Sequence, residues 1–400
     1  MKIYYGKAVY GKEEINAAIK VLKNKSLTLI DGPSVKKLEK TIANIFGKKY
    51  GLMVNSGSSA NLLALASLGL RPGSEIITPT LTFSTTVSPI YQLGYKAHFI
   101  DVGKNNFVAD HKQIEECINK NTSAIMIPNL LGNLPEWDKI YKIAKKYKLK
   151  IIEDSADTIG YSYKKQIGKY SDITTNSMYA SHIVTGAGFG GIACFNDFTT
   201  YTRAKLLRGW GRSSATFNES EGIKERFSSK VDGIPYDGKY IFSDMGYNFL
   251  PSEISAAFAL EQLKKLKKNI LVRMNNFSSL KKFFSNFPEL IDLPQQLKGL
   301  KTGWLAYPII IKKNSYFNRR DLQIYFEKEN IQTRTIFTGN ILRQPIMKNK
   351  KFKKHNKAEV NANEIMKNGM LIGCHHGLGI KDIDFIKNKF TKFLVKLSYA

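Results

Sequence analysis

The run Asn55-Ser56-Gly57-Ser58-Ser59-Ala60-Asn61 gathers small residues and hydroxyls where an apolar stretch ends and a Leu- and Ala-rich stretch begins. At such a strand-to-helix turn, free backbone N–H groups and serine hydroxyls can hold a phosphate at the positive end of the helix. The same composition also makes a plain helix N-cap. Further on, Ile151-Ile152-Glu153-Asp154 sets a carboxylate at the end of an apolar run, the edge where parallel α/β sheets bind ligands. A buried carboxylate is costly unless a cation meets it, and a protonated pyridine nitrogen is one such cation. Capping the next helix is the other use of an Asp there. Ser177-Met178-Tyr179-Ala180-Ser181-His182 follows, then Gly186-Ala187-Gly188-Phe189-Gly190-Gly191. Glycines so dense imply close backbone approach or positive φ. His182 can exchange a proton near neutral pH, or it can be a core histidine satisfied by its neighbours.

The elements that position these residues are legible as period. Apolar β-rich runs recur at Leu52–Asn55, Glu75–Pro79, Ala97–Val102, Ala124–Pro128, Leu149–Asp154, Thr174–Tyr179 and Gly191–Phe195, with amphipathic stretches between them. Near-continuous apolar strands separated by helices predict a seven-stranded, mostly parallel α/β sheet covered on both faces. Helical stripes are read from Ile15, Ala18, Ile19 and Leu22, and from Val35, Leu38, Ile42 and Ile45. After about residue 200 the rhythm changes. Arg203–Tyr240 is polar and strand-poor, and a long helix over Ser252–Arg273 opens from Pro251. A smaller α+β unit is expected to follow, with strands near Leu305–Ile311, Gln332–Phe337 and Met370–Gly373 and helices near Asn318–Glu329 and Ala358–Lys367. We divide the chain into a large cofactor-binding domain, 1–250, and a small domain, 251–400.

With 400 residues, 43% apolar and 24% charged, the composition is that of a globular protein and excludes fibres and disordered tails. No apolar run is long enough to span a membrane, and the first residues carry no secretory leader pattern, so a cytoplasmic location is expected. The net charge of +28 raises the question of nucleic acid, but only 10 of the 61 basic residues are Arg, the side chain that reads phosphates and guanine edges bidentately. We therefore expect no nucleic-acid partner. The dense run Lys348–Lys357 reads as a surface loop. Cys117, Cys194 and Cys374 are scattered and odd in number, which argues for a reducing compartment and against a disulfide framework or a metal cluster.

Taken together, in order and spacing, the three segments resemble the aspartate-aminotransferase-type fold, fold type I of the pyridoxal-phosphate (PLP) enzymes. In detail the chain is similar over nearly its whole length to the DegT/DnrJ/EryC1/StrS sugar aminotransferase family. Thr78-Pro79-Thr80-Leu81-Thr82-Phe83 and Gly246-Tyr247-Asn248 with Glu253 agree as well. The resemblance implies cofactor contacts from Gly57, Ser58, Phe83, Asp154, Asp157, Ser177 and Asn248. Phe83 would stack on the ring, Asp154 would keep its nitrogen protonated, and Asn248 would reach the phosphate of the neighbouring subunit in a homodimer.

One departure bears directly on function. The family's aminotransferases place a lysine, which binds the cofactor covalently, five residues after the serine matched by Ser177. Here that residue is His182, and no lysine lies between Tyr170 and Lys205. An imidazole forms no stable imine but can move a proton. The pattern resembles the small histidine-containing branch of sugar 3-dehydratases, typified by GDP-4-keto-6-deoxymannose 3-dehydratase, which uses pyridoxamine phosphate (PMP). Asn129-Leu130-Leu131-Gly132-Asn133, the acid Asp157, and Ile331-Gln332-Thr333-Arg334 followed by Thr338-Gly339-Asn340 are branch-like too. Arg334 and Asn340 are the implied substrate residues. The sister branch, CDP-4-keto-6-deoxyglucose 3-dehydratase, holds an iron–sulfur cluster with cysteines between Trp210-Gly211-Arg212 and Tyr236-Asp237. That stretch has no cysteine here, so no cluster is expected. Phe189, where an acid is usual, and Leu250, where a base is common, also depart from the family.

The implied activity is removal of the C3 hydroxyl from a nucleotide-linked 4-keto-6-deoxysugar, as in surface-polysaccharide synthesis. His182 would act as base and proton shuttle, and glutamate would regenerate the aminated cofactor. A sugar aminotransferase lacking its lysine and a non-catalytic cofactor-binding homologue are the alternatives.

Overall fold

The computed structural model describes residues 2–398 except 161, 164, 218–221, 314 and 315. Its main sheet contains all seven expected strands: β1 (Tyr50–Val54), β2 (Glu75–Pro79), β3 (Lys96–Ile100), β4 (Thr122–Pro128), β5 (Lys150–Asp154), β6 (Ile173–Ser177) and β7 (Gly191–Phe195). The order is β1-β7-β6-β5-β4-β2-β3, with β7 antiparallel to both of its neighbours and the remaining pairs parallel. Alternate side chains enter separate cores. Leu52, Val54, Ile76, Phe99 and Met126 pack on one face, and Met53, Ile77, Ile125, Ile127 and Ile192 on the other. Burying both faces explains why β4 carries the unbroken apolar run Ala124–Ile127, since each buried Leu, Ile or Met side chain contributes about 1.5–3 kcal/mol.

The sheet has an eighth strand, inside the lysine-rich run expected to be a surface loop. Within Lys348–Lys357, the segment Phe352–Lys354 pairs parallel with β3 at the sheet edge. Its lysine-rich composition hides it, because one side chain does the packing: Phe352 lies edge-on to Phe99, 5.6 Å between centroids. Lys353 pairs with the otherwise buried Glu75 at 2.6 Å.

Two helical expectations are also corrected. Helix α1 (Lys12–Lys23) forms, but its apolar stripe faces outward: Ile15, Ile19 and Leu22 are 44%, 42% and 58% exposed, whereas Glu14 and Val21 are buried. Glu14 is drawn inward because Gln262 Nε2 (2.7 Å), Gly11 N (2.8 Å) and Lys265 satisfy its carboxylate. The expected helix over Ser252–Arg273 is broken at Lys265 into α5 (Glu253–Lys264), capped by Ser252, and α6 (Leu266–Phe284).

The C-terminal part builds an antiparallel four-stranded sheet from Ile291–Asp292, Tyr307–Ile311, Gly369–Ile372 and Thr333–Thr335, in that order. α6 and the C-terminal helix Ile380–Ser398, which the sequence reading did not include, cover it through Phe284, Phe390 and Tyr307.

Arg273 on α6 is fully buried and donates from Nε to His376 Nδ1 at 3.2 Å. Burial, with Arg273 and His375 adding repulsion, pushes His376 down to about 3; burial and Arg273 push His375 down to about 4. Below pH 6.5 the unfolded chain therefore takes up protons that the folded imidazoles refuse. Stability is fully present above that pH and is lost as pH falls. His376→Asn, which keeps an acceptor for Arg273, is expected to reduce the slope of unfolding free energy against pH by up to about 1.4 kcal/mol per unit between pH 6 and 5. Urea titrations at stepped pH measure it, and an unchanged slope would mean that the folded protein already protonates His376.

Candidate active site

A cavity of about 990 Å³ opens at the carboxyl ends of β4, β5 and β6, walled by the turn after β1, the glycine-rich loop before β7 and the segment around Arg334. At one end lies the N-terminus of α3 (Gly57–Ser67), where Ser56 Oγ accepts from Ser59 N–H at 3.1 Å. A Cβ on Gly57 would sit 2.5 Å from Ser177 Cβ, so glycine alone lets this turn press against the end of β6. Gly190, at φ +112°, donates its N–H to Asn55 O at 2.9 Å and holds the second loop against the first. Gly57, Ser58 and Ser177 thus converge on a helix start that both caps itself and faces open space, a ready anion cradle.

Asp154 stands at the end of β5, buried, and lines the cavity. Its Oδ2 accepts from Asn61 Nδ2 and Thr86 Oγ1, both at 2.8 Å, and its Oδ1 accepts from Ala156 N–H at 3.1 Å. Asn61 is itself fixed by Thr175 Oγ1 at 2.6 Å. Burial raises the Asp154 carboxyl above its ordinary range, and the Asn61, Thr86 and Ala156 hydrogen bonds pull it back. Among the described residues no cation pairs with Asp154. A buried carboxylate with three donors, opening on a cavity, fits a protonated ring nitrogen. Phe83 is 51% exposed on the cavity wall, with its ring edge-on to Phe337 at 6.2 Å, which leaves a face free to stack.

Asn61 and Thr86 were not singled out from sequence. Asn61 leaves a trace, a polar side chain buried in a helix of Ala and Leu; Thr86, in α4 (Ser84–Gln92), leaves none.

His182 sits opposite. Its Nδ1 lies 3.3 Å from Ser177 O, and because a carbonyl only accepts, Nδ1 carries the hydrogen and Nε2 the lone pair. Nε2 is 3.8 Å from Asp157 Oδ1, while Asp157 Oδ2 accepts from Leu131 N–H at 2.9 Å. Burial pushes His182 down to about 4 and Asp157 up to about 7, the latter helped by Asp154. His182 is therefore neutral at pH 7.

The remaining assignments divide. Arg334 lines the cavity beside Tyr5, its guanidinium 5.8 Å from that ring. Asn340 is corrected: it is fully buried outside the cavity, donates to Asn363 Oδ1 (2.8 Å) and Glu359 Oε1 (3.1 Å), and accepts from Leu342 N–H (3.0 Å). It caps a turn and has no free polar atom to offer a substrate. Asn248 is exposed on the surface and does not line the cavity of its own chain. Glu253 caps the start of α2 (Pro33–Ile45) through Ser34 and Val35 N–H. Asn129 braces Glu153 and Ser155, each at 2.8 Å. Phe189 reaches the cavity and is 71% exposed; Leu250 does not line it. Among the described residues no Cys, His, Asp or Glu cluster could hold a metal, and no helix is long and apolar enough to cross a membrane.

The profile of the DegT/DnrJ/EryC1/StrS aminotransferase family matches residues 9–391. The lipopolysaccharide biosynthesis protein RfbH of Salmonella typhimurium is 34% identical, over 89% of this chain and 84% of its own. GDP-4-keto-6-deoxy-D-mannose 3-dehydratase of Yersinia pseudotuberculosis is 33% identical over 96% of each chain. A solved GDP-4-keto-6-deoxymannose-3-dehydratase with a trapped PLP–glutamate geminal diamine superposes with a TM-score of 0.85 at 31% identity, covering 97% of this chain and 99% of that one.

Proposed function

The chain belongs to the DegT/DnrJ/EryC1/StrS aminotransferase family, and from that premise we propose that it is a PMP-dependent nucleotide-sugar 3-dehydratase acting on an NDP-4-keto-6-deoxyhexose in the cytoplasm. The observation that carries this reading is His182: where the family's aminotransferases have a lysine, the cavity holds a neutral imidazole with its Nε2 lone pair directed away from the Ser177 carbonyl. The bound cofactor supplies an amine that condenses with the C4 ketone and a protonated ring that accepts the electron pair left when a carbon-bound proton departs. Gly57, Ser58 and Ser177 would hold its phosphate, Phe83 its ring face and Asp154 its ring nitrogen. His182, oriented by the Ser177 carbonyl, accepts the carbon-bound proton. Arg334, an exposed cation at the cavity, suits the diphosphate of the substrate. Glutamate, which the solved relative holds against PLP, is the proposed amino donor.

We further propose a homodimer. The outward apolar stripe of α1 and the surface position of Asn248 both support a second copy of the chain as the missing neighbour. Mixing His182→Asn subunits with Asn248→Ala subunits is expected to restore one intact site per heterodimer. No recovery after verified subunit exchange would mean that each site is built within one chain.

The function is tested by incubating the protein with PMP, glutamate and a panel of GDP-, CDP- and TDP-4-keto-6-deoxysugars and following the products by mass. A sugar lighter by its 3-oxygen is expected from at least one of them. A stable aminosugar would make the protein an aminotransferase, and no product from any would leave it a binding protein.

A further inference from the structure

Two proton carriers lie side by side on the cavity lining. His182 Nε2 and Asp157 Oδ1 are 3.8 Å apart, and both residues line the open space. That gap is too long for a hydrogen bond between them, but a hydroxyl oxygen can sit within hydrogen-bond reach of both atoms. The Asp157 carboxyl is oriented by the Leu131 N–H, which donates to its Oδ2 at 2.9 Å from a residue in the left-handed region at φ 59°.

We propose that Asp157 is a second catalytic group, the acid that protonates the departing 3-hydroxyl while His182 takes the carbon-bound proton. The inference rests on the dehydratase reading above. In the step, His182 Nε2 receives a proton and the C–H electron pair stays with the carbon framework. The C3–O bond breaks, and the oxygen leaves with that bond's electron pair and the Asp157 proton, as water. An imidazolium then faces a carboxylate, and return of a proton from Nε2 to Oδ1 resets both groups without any outside reagent.

The surroundings load the two groups in the required sense. Asp157 faces Asp154 from the end of β5, which repels its charge, and Tyr5 from the N-terminal segment; Arg273 from α6 bears on both partners. Burial outweighs Arg273 at the carboxyl, which stays protonated up to about pH 7, and the imidazole keeps its lone pair down to about pH 4. This reverses the order of the free side chains and assigns acid and base.

Asp157→Asn keeps an acceptor for Leu131 and removes the proton. With a turned-over ketosugar in D2O, exchange of the cofactor's side-arm hydrogen should stay within about threefold of wild type, while release of the 3-oxygen falls about 100-fold or more. If exchange and release fall together with loss of bound cofactor, Asp157 serves the cofactor alone and the proposal is overturned; undiminished oxygen release overturns it too. A second readout needs neither turnover nor cofactor. The imidazole nitrogens of His182, followed by NMR in the cofactor-free protein, should show a step near pH 7 as Asp157 ionises, and the step should vanish in Asp157→Asn. A wild type without that step overturns the pair, even if the variant does not fold. A wild type that deoxygenates no ketosugar overturns the dehydratase reading instead.

Discussion

His182→Asn is expected to retain the cofactor without a covalent link and to lose side-arm hydrogen exchange and 3-oxygen release by about 10³-fold or more, the scale of a lost general base. The amide is close in shape to the imidazole and can still donate to Ser177 O, so the cavity wall survives and the base does not. Cofactor retention by gel filtration and exchange in D2O separate the two effects. Borohydride treatment followed by peptide mapping completes the test, since wild type should yield no lysine-linked cofactor. Undiminished exchange in the variant, or a modified lysine in wild type, would remove His182 from the centre of the chemistry.

Asp154→Asn should be comparably damaging for a different reason. The carboxylate is the buried negative charge available to hold a proton on the ring nitrogen, and each unit by which that nitrogen's pKa drops represents about 1.4 kcal/mol, or tenfold in the protonated fraction. The new amide keeps one acceptor oxygen for Asn61 Nδ2 and Thr86 Oγ1, and its NH2 then meets the Ala156 N–H, a donor in the native arrangement. A loss of about 10³-fold or more is expected. The fold should tolerate the change, because removing a charge that burial disfavours offsets the buried donor left without an acceptor. Inactive protein with an undiminished melting temperature is therefore the expected pairing, and a variant within twofold of wild-type activity would sink the role of Asp154.

Much of this site is legible in the sequence, because its residues sit where periodic elements end. Asp154 closes β5 after the apolar pair Ile151-Ile152, Ser177 closes β6, a buried strand of Thr and Asn, and Gly57 opens α3 directly after β1. What escaped was whatever depends on partners distant in the chain. Thr86 matters through a carboxylate 68 positions away, and no local pattern marks it. Asn340 lies in a branch-like motif, yet it is consumed by Glu359 and Asn363 behind the cavity wall, so sharing a motif did not mean touching a ligand. The stripe on α1 has a buried-helix period but points outward, because period reports that one face is apolar and not what covers it. The strand at Phe352–Lys354 shows the converse, an edge strand whose lysines mask its pairing with β3.

The fate of nitrogen tests the central claim most directly. With the ketosugar that the panel identifies, 15N-glutamate and PMP, the account predicts that labelled nitrogen appears as ammonium, one per 3-oxygen lost, while the sugar product carries no nitrogen. Label retained in a stable aminosugar, with the 3-hydroxyl still in place, would contradict it: His182 would then serve an aminotransferase that has dispensed with its lysine.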